Sequence, residues 1–222
     1  MEEILEYSPL LIKGTITTIE LTLASAVLAV IISFVVGLSR FSRLRFVRAS
    51  AIVYLEFFRG TSAIVQMFFM FYVLPLFGVT FPPLLAGILA CGLNLGSYGS
   101  EVVRSAVESV GRGQHEAAQA LNYSIYQRFR YVLIPQAVPV MIPTFGNLLI
   151  ELLKLTAVAS LITISDLTFM SQIIRVQTAL TLEPFLVILV IYFIISSVLV
   201  WFTKWIERKF AAGRHTITSK GA

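Results

Sequence analysis

The chain has 222 residues, of which 57% are hydrophobic and only 13% are charged, with a formal net charge of +5. A soluble domain carries about 25% charged residues because its surface meets water, so this composition excludes a soluble globule and indicates a polytopic membrane protein. The basic residues lie between apolar segments, which predicts no nucleic-acid partner. One cysteine and two histidines exclude a disulfide and supply too few ligands for a metal site or a histidine relay.

Five apolar segments follow one another along the chain. About 20 apolar residues cross the hydrocarbon core of a bilayer as a helix, and we predict spans at about residues 15–38, 47–76, 84–103, 137–154 and 184–205. The first span is expected to remain as an anchor, since Glu2 and Glu3 stand where a cleaved signal peptide is basic. The stretch at residues 156–165 is too short to span alone. The predicted fold class is an all-α integral membrane protein, with residues 1–222 in one transmembrane domain.

The Lys and Arg residues predict the orientation. They follow the first, third and fifth spans, at Arg40, Arg43, Arg45 and Arg48, at Arg104, Arg112, Arg128 and Arg130, and at Lys204, Arg208, Lys209, Arg214 and Lys220. The connection at residues 75–83 has no charge, and the one at residues 155–183 has Arg175 as its only cation. Because cytoplasmic loops carry the excess of Lys and Arg, we expect the N-terminus outside and the C-terminus in the cytoplasm. Trp201 and Trp205 suit an interfacial anchor at the cytoplasmic end of the last span.

The longest polar connection carries an amphipathic pattern. Between residues 114 and 129, Leu121, Ile125 and Phe129 recur at i, i+4 and i+8 and form one apolar stripe on a helix. Pro135 interrupts the chain before the next span. The sequence therefore predicts a short amphipathic helix at about 114–129 on the cytoplasmic side. The residues alone leave open whether this helix lies on the membrane surface or docks onto a partner.

Part of this helix resembles a known motif. Glu116-Ala117-Ala118, followed by Val132-Leu133-Ile134-Pro135, resembles the EAA loop of binding-protein-dependent ABC importer permeases. In that family the loop forms a coupling helix that sits in a cleft of a cytoplasmic ATPase. The family's glycine is Asn122 here, and the turn is expected to survive because Asn tolerates left-handed backbone angles. The resemblance implies ATPase coupling by Glu116, Ala117, Ala118, Leu121, Asn122, Ile125, Phe129 and Pro135.

Further segments extend the resemblance over nearly the whole chain. The segment at residues 59–66 (RGTSAIVQ) is similar to one in polar amino acid permeases, with Ser62 in the place of a proline. The runs at residues 94–107 and 148–169 look most like ectoine/hydroxyectoine permease subunits. The resemblance implies the type I ABC importer permease fold in a bacterial inner membrane. It also implies ATP-driven import of a polar amino acid or a related zwitterion such as ectoine.

The resemblance implies several partners. No G-x-x-x-x-G-K-[ST] motif occurs in the sequence, so we expect ATP and Mg²⁺ to bind to a separate ATPase chain and no cofactor to bind to this one. A single coupling loop suggests half of a transport path. We therefore expect a cytoplasmic ABC ATPase dimer, a second permease copy or a paralogue, an extracytoplasmic solute-binding protein and membrane lipid.

Charged residues inside spans are costly and therefore indicate function. Three acid–base pairs are spaced at i, i+3, where each acid can neighbour its own base: Glu56/Arg59, Glu101/Arg104 and Glu151/Lys154. Glu151 and Lys154 lie about 20–25 Å along their helix at roughly 1.5 Å per residue, in the outer half of the bilayer. They either neutralise each other or line a transport path. Glu20 has no base at i+3 or i+4 and is expected to pack inward.

The third span is rich in small and polar residues. These residues either allow close helix packing or offer hydrogen bonds to a zwitterion, and both roles are compatible on different faces. The candidate substrate pathway comprises Asn94, Ser97, Tyr98, Glu151, Lys154 and Thr156.

Two other classes of protein fit the sequence less well. A secondary transporter would be favoured by internal repeats and by helices broken near the midplane, and the sequence shows neither. A membrane-embedded enzyme needs a nucleophile, a base or metal ligands that converge at membrane depth, which two histidines outside the spans do not provide. We therefore predict a transporter subunit and not an enzyme.

Overall fold

The computed structural model describes residues 6–212, and these residues are helical except for short connections. The α-helices are α1 (Ser8–Ser39), α2 (Arg45–Gly60), α3 (Ala63–Phe68), α4 (Pro83–Glu108), α5 (Arg112–Ala120), α6 (Ile125–Gln127), α7 (Ile134–Thr156), α8 (Leu167–Thr178) and α9 (Leu182–Ala212). A π-helical segment (Phe69–Val73) and a 3₁₀ segment (Leu74–Phe77) extend α3. A π-helical segment joins α6 to α7, and a 3₁₀ segment continues α7 to Ile162. The predicted basic tail residues Arg214 and Lys220, and the acidic Glu2 and Glu3, lie outside the described residues.

Three helices of the described chain are long and apolar enough to cross a membrane: α1, the continuous Ile125–Ile162 and Leu182–Phe210. The pair Arg45–Gly60 and Ala63–Phe77 would be a fourth if it crosses as one broken span. The predicted count of five is therefore not confirmed. The helix at the third predicted span, α4, is 26 residues long, but its glycines, its serines and Asn94 make it less apolar. It nevertheless lies centrally, packed against α1, α2 and α7.

The segment of the second predicted span, at residues 47–76, is bent, because the chain turns by 101° between Gly60 and Ala63. Helix α2 ends at Gly60, and Thr61 takes an extended conformation (φ −116°, ψ 149°). The side chain of Gln66 stabilises the bend from within, since its Nε2 donates to Thr61 Oγ1 at 2.6 Å and to the carbonyl of Phe58 at 3.1 Å. The last carbonyls of a helix have no partner within the helix, and Gln66 donates to one of them. This hydrogen bond stabilises the break between α2 and α3.

The predicted amphipathic helix at 114–129 is two helices. Helix α5 ends at Ala120, and Asn122 then adopts a left-handed conformation with φ 55°. Ser124 starts α6 with a capping box, in which its Oγ accepts from Gln127 N and Gln127 Oε1 accepts from Ser124 N. The predicted turn at Asn122 is confirmed. This turn and the capping box at Ser124 divide the single helix that was predicted from the spacing of Leu121, Ile125 and Phe129.

Helices α1 and α4 pack at unusually short range. Ser33 on α1 is fully buried, and its Oγ donates to the Gly96 carbonyl of α4 at 3.3 Å as well as to Ala29 within its own helix. A Cβ on Gly96 would lie 2.7 Å from the side chain of Ile32, which is closer than real contacts allow. The small residues of the third predicted span therefore serve helix packing on this face, as one of the two interpretations held.

The segment after α7 does not form a further span. It ends as a 3₁₀ helix at Ile162, and Asp166 then caps α8, accepting from the backbone of Thr168 and Phe169 at 3.2 and 2.9 Å. The backbone N–H of Leu167 donates to Thr18 Oγ1 of α1 at 3.0 Å. Helix α8 thereby packs against α1 and α9, and the connection is anchored to the bundle.

Candidate functional site

The predicted coupling segment presents an exposed surface around α5. Glu116 and Ala117 are exposed, whereas Ala118 is buried, and its carbonyl accepts from Tyr123 N at 3.1 Å. Leu121 is 67% exposed, although it is a large apolar side chain in a polar segment. Within the described residues Glu116 forms no salt bridge. A free carboxylate beside uncovered apolar side chains is the composition of a docking surface for another protein.

The predicted apolar stripe is divided between two roles. Ile125 is 41% exposed and, like Leu121, remains uncovered within this chain. Phe129 instead turns toward the bundle, where its ring lies 5.4 Å from that of Phe41 at the end of α1, and it packs against a buried cluster that includes Val103. Phe129 is therefore an anchor within this chain, which corrects its predicted place on an external stripe. Pro135 stands exposed in the first turn of α7.

An ionic network that the sequence predicted only in part joins the end of α1 to α4. Glu101 accepts a charged hydrogen bond from Arg40 Nη1, and Arg104 Nη1 lies 3.6 Å from its other carboxylate oxygen. Arg104 Nε also donates to Glu108 Oε1 at 2.8 Å. The predicted pair Glu101/Arg104 is confirmed. The contribution of Arg40 comes from 61 residues away, a distance at which sequence spacing indicates nothing.

The bend between α2 and α3 gathers polar groups inside the bundle. The carbonyl of Phe58, near the end of α2, accepts from Asn94 Nδ2 of α4 at 2.9 Å and from Gln66. The Oε1 atom of Gln66 is buried and has no hydrogen-bond partner among the described residues. Close by on α4, Tyr98 carries the guanidinium of Arg59 at 5.4 Å from its ring centroid. Gln66 was not among the predicted site residues, although the break at Gly60 was a usable signal.

The structure separates the predicted pathway residues into interior and exposed groups. Asn94 and Ser97 are buried, and Ser97 Oγ donates to the Asn94 carbonyl at 2.6 Å within α4. Thr156 is also buried and donates to the Leu153 carbonyl at 2.7 Å. Tyr98, by contrast, is 37% exposed. The interior residues support the packing and the bend, and the exposed ones are open to a ligand or a second protein.

Glu151 and Lys154 both lie exposed on α7. No salt bridge within 4 Å joins them, and the same holds for Glu56 and Arg59 on α2, among the residues that the structure describes. Glu20 on α1 is exposed as well, which contradicts the expectation that it packs inward. Unpaired charges on otherwise apolar helices cannot face lipid without a large cost. The faces that carry them therefore need water or another polar surface against them.

No group of three or more His, Cys, Asp or Glu residues in the described part of the chain is arranged to hold a metal ion. The exposed charges are spread over helices rather than gathered around one point. Their arrangement suits passage or docking of a polar partner and offers no assembled catalytic group.

Known proteins resemble this chain over most of its length. The family described as "Binding-protein-dependent transport system inner membrane component" matches residues 29–212. A probable amino-acid ABC transporter permease protein of Sinorhizobium fredii is 42% identical over 201 residues, which cover 88% of this chain and 84% of the relative. The L-cystine transport system permease protein of Bacillus subtilis is 36% identical over 205 residues, which cover 90% and 86% of the two chains.

Solved structures share the fold. A chain from the crystal structure of an amino acid ABC transporter with histidines superposes with a TM-score of 0.86 at 33% identity, covering 93% of this chain and 96% of that one. A chain of the inward-facing MetNI methionine ABC transporter has a TM-score of 0.79 at 21% identity, covering 91% and 97%. The latter likeness bears on the fold alone. These neighbours confirm the predicted all-helical ABC permease fold.

Proposed function

Because the chain belongs to the family of binding-protein-dependent transport system inner membrane components, we propose that it is the permease subunit of an ABC importer for a polar amino acid or a related zwitterion such as ectoine. Its relatives are ABC transporter permeases, and the chain is a membrane-embedded transporter subunit and not an enzyme, as predicted. The amino-acid class is supported by relatives named for amino-acid and L-cystine transport. The proposal of ectoine is supported by the resemblance of the segments at residues 94–107 and 148–169 to ectoine/hydroxyectoine permease subunits.

The unpaired charges on α2 and α7 are the observation that carries this proposal. Glu151 and Lys154 are exposed on α7 and form no salt bridge with each other, so both signs of charge are free at membrane depth. A zwitterionic solute carries one charge of each sign and loses its hydration when it enters an apolar bundle. Side chains of both signs can replace that hydration, which favours a small zwitterion over an ion of one sign.

The same charged faces support a second permease subunit. We infer that the exposed residues Glu151, Lys154, Arg59 and Tyr98 line the path, which a homologous or identical chain opposite would close. The solute then passes between two polar faces rather than through one subunit. In this arrangement Asn94 and Gln66 hold the bend behind the path, while Ser97 and Thr156 pack the interior.

Coupling to ATP hydrolysis is assigned to the surface of Glu116, Ala117, Leu121 and Ile125. Their exposure on a rigid turn beside buried Ala118 supports docking of a cytoplasmic ABC ATPase dimer, which holds ATP and Mg²⁺. Closure of the ATPases would move the two coupling segments together and rock the spans. An extracytoplasmic binding protein would deliver solute at the connections near residues 75–83 and 155–183.

Uptake by the reconstituted importer tests the proposal. The permease is purified with its cognate ATPase and binding protein, placed in proteoliposomes and given labelled glutamine, cystine or ectoine. We expect uptake of one zwitterion that requires both ATP inside and binding protein outside. Uptake driven by a proton or sodium gradient without ATP would support the alternative of a secondary transporter and would overturn the ABC assignment.

A further inference from the structure

A cavity of about 310 Å³ lies between α1, α7 and α9. Its walls include the parallel rings of Phe34 and Phe145, whose centroids lie 6.3 Å apart, and the side chain of Ile206 on α9. Phe202 also lines it and is itself 47% exposed. The cavity therefore reaches the surface beside α9, and the lining is apolar.

A row of side chains leads from this cavity to the basic end of α9. The ring of Trp205 stacks on that of Phe202 at 6.0 Å between centroids, with an interplanar angle of 20°. The ammonium of Lys209 lies 4.0 Å from the centroid of the Trp205 ring. Lys209 is one turn beyond Ile206 on the cavity side, since residues three and four apart share a helix face. It forms no salt bridge within the described residues.

We propose that this cavity binds one acyl chain of an anionic phospholipid, whose phosphate is held by Lys209 and whose glycerol region lies against Trp205. Along α9 the apolar cavity is followed by the ring of Trp205 and then by the cation of Lys209. In one lipid leaflet the acyl chains are followed in the same order by the interface and the charged headgroup. The exposed ammonium supplies charge complementarity to a phosphate, and its position over Trp205 places that charge at the interface.

Lipid is favoured over a second copy of the chain as the occupant. Only 6% of the most apolar part of α9 is buried within the chain, and its exposed side chains there are apolar. The faces that require a polar protein neighbour are those of Glu56 and Arg59 on α2 and of Glu151 and Lys154 on α7. An apolar helix face that ends at the exposed ammonium of Lys209 is suited to lipid as its surroundings.

The two tryptophans allow a direct test, because Trp201 and Trp205 are the only ones in the sequence. The full-length chain with Trp201→Phe keeps Trp205 as its single tryptophan. It is reconstituted in phosphatidylcholine bilayers that contain either brominated phosphatidylglycerol or brominated phosphatidylcholine, since bromine quenches tryptophan at contact range. We expect the relative binding constant from quenching to be about fivefold higher for phosphatidylglycerol, as one favourable basic contact predicts.

Matched variants separate a site from general attraction to the basic surface. Lys209→Gln should remove the preference, whereas Lys204→Gln, five residues earlier and about 140° around the helix, should keep it. Val138→Phe, which fills the cavity, should also lower quenching by phosphatidylglycerol, whereas Val140→Phe, which points elsewhere on α7, should not. Equal binding constants for the two lipids, or equal effects of Lys209→Gln and Lys204→Gln, would overturn the proposal. Weak quenching by both lipids would show that another protein surface covers the cavity and would overturn it too.

Discussion

The amide of Asn94 donates a hydrogen bond of 2.9 Å to the backbone carbonyl of Phe58. Phe58 lies near the end of α2, where carbonyls have no partner further along the helix. The central helix α4 therefore supplies the bond that the interrupted second span lacks, with Gln66 as a second donor. Asn94 was predicted from the sequence to lie on the substrate pathway. In the fold its amide donates a hydrogen bond to the backbone of the neighbouring helix α2.

Asn94→Leu should lower the stability of the permease, because Leu keeps the branched side-chain shape but cannot donate to the Phe58 carbonyl. The expected loss is about 1 kcal/mol, the net value of one hydrogen bond, because Gln66 still donates to the same carbonyl. Thermal unfolding of the purified chain in detergent measures it. Tyr98→Phe, which alters only an exposed hydroxyl, is the control and should melt as the native chain does. Unchanged melting with lost uptake in Asn94→Leu would assign Asn94 to the solute instead.

Glu151→Gln should impair transport while the complex remains assembled. A charged hydrogen bond is worth about 1.5–3 kcal/mol, so the KM for uptake by proteoliposomes should rise about tenfold or more. Glu20→Gln is the matched control, since Glu20 is also an exposed carboxylate on an apolar helix. If both variants transport every tested solute normally, Glu151 has a structural role only.

Leu121→Ala should weaken ATPase docking without disturbing the permease. Truncation of an interface anchor costs about 2 kcal/mol or more, which corresponds to roughly thirtyfold in affinity. Leu44→Ala is a close control, because Leu44 and Leu121 are both 67% exposed. ATPase retention on the purified permease and its stimulation by loaded binding protein are the readouts. Glu116→Lys should act like Leu121→Ala, and normal retention and stimulation in both would sink the coupling assignment.

Phe129→Ala should act on the permease itself, since its ring packs against Phe41 rather than outward. We expect a loss of up to about 3 kcal/mol in unfolding free energy, the lower range for removing a buried ring. Thermal unfolding of the chain without its ATPase detects this loss. Ile125→Ala, on the exposed part of the segment, should leave that unfolding unchanged. The reverse pattern would restore Phe129 to the docking surface.

An impermeant thiol reagent should distinguish the two sides of the membrane. In a Cys91→Ala background, Ser8→Cys at the start of α1 should be labelled in intact cells, and Ser42→Cys between α1 and α2 only after lysis. The reason is the positive-inside rule applied to the arginines around Ser42. Labelling of Ser42→Cys but not of Ser8→Cys in intact cells would reverse the topology.

Stability should fall as pH rises through about 6 because of Asp166. Burial raises the pKa of the Asp166 carboxyl to about 6, although hydrogen bonds from the Phe169 and Thr168 backbone act to lower it. The folded state thus binds the proton more tightly than the unfolded one. Protonated Asp166 therefore contributes at most about 3 kcal/mol to the free energy of unfolding. This contribution is fully present below the ordinary aspartate pKa and is lost as the pH rises through about 6.

Asp166→Asn isolates this effect, because the amide oxygen still caps α8 but does not titrate. Melting temperatures of the native chain and the variant are compared between pH 5 and pH 8 in the same detergent. We expect the native chain to lose stability relative to the variant across this range. A constant difference between the two would show that Asp166 has the same pKa in the folded and unfolded states.

The sequence alone was enough for the all-helical fold class, the transport family and the position of the turn at Asn122. Apolar runs of bilayer length and the motif at Glu116-Ala117-Ala118 are local signals, and the comparisons bear out the family. The left-handed turn at Asn122 was predictable for the same reason, since it depends on one residue's backbone preference.

Only the tertiary structure decided the rest, because it depends on contacts between residues far apart in the chain. A helix period cannot show that Phe129 packs on Phe41, and spacing cannot show that Arg40 pairs with Glu101. The bend after Gly60 is stable because Asn94 and Gln66 reach the same carbonyl from two directions. Local sequence sets what each segment can form, and packing between segments decides where helices end and which polar groups remain free.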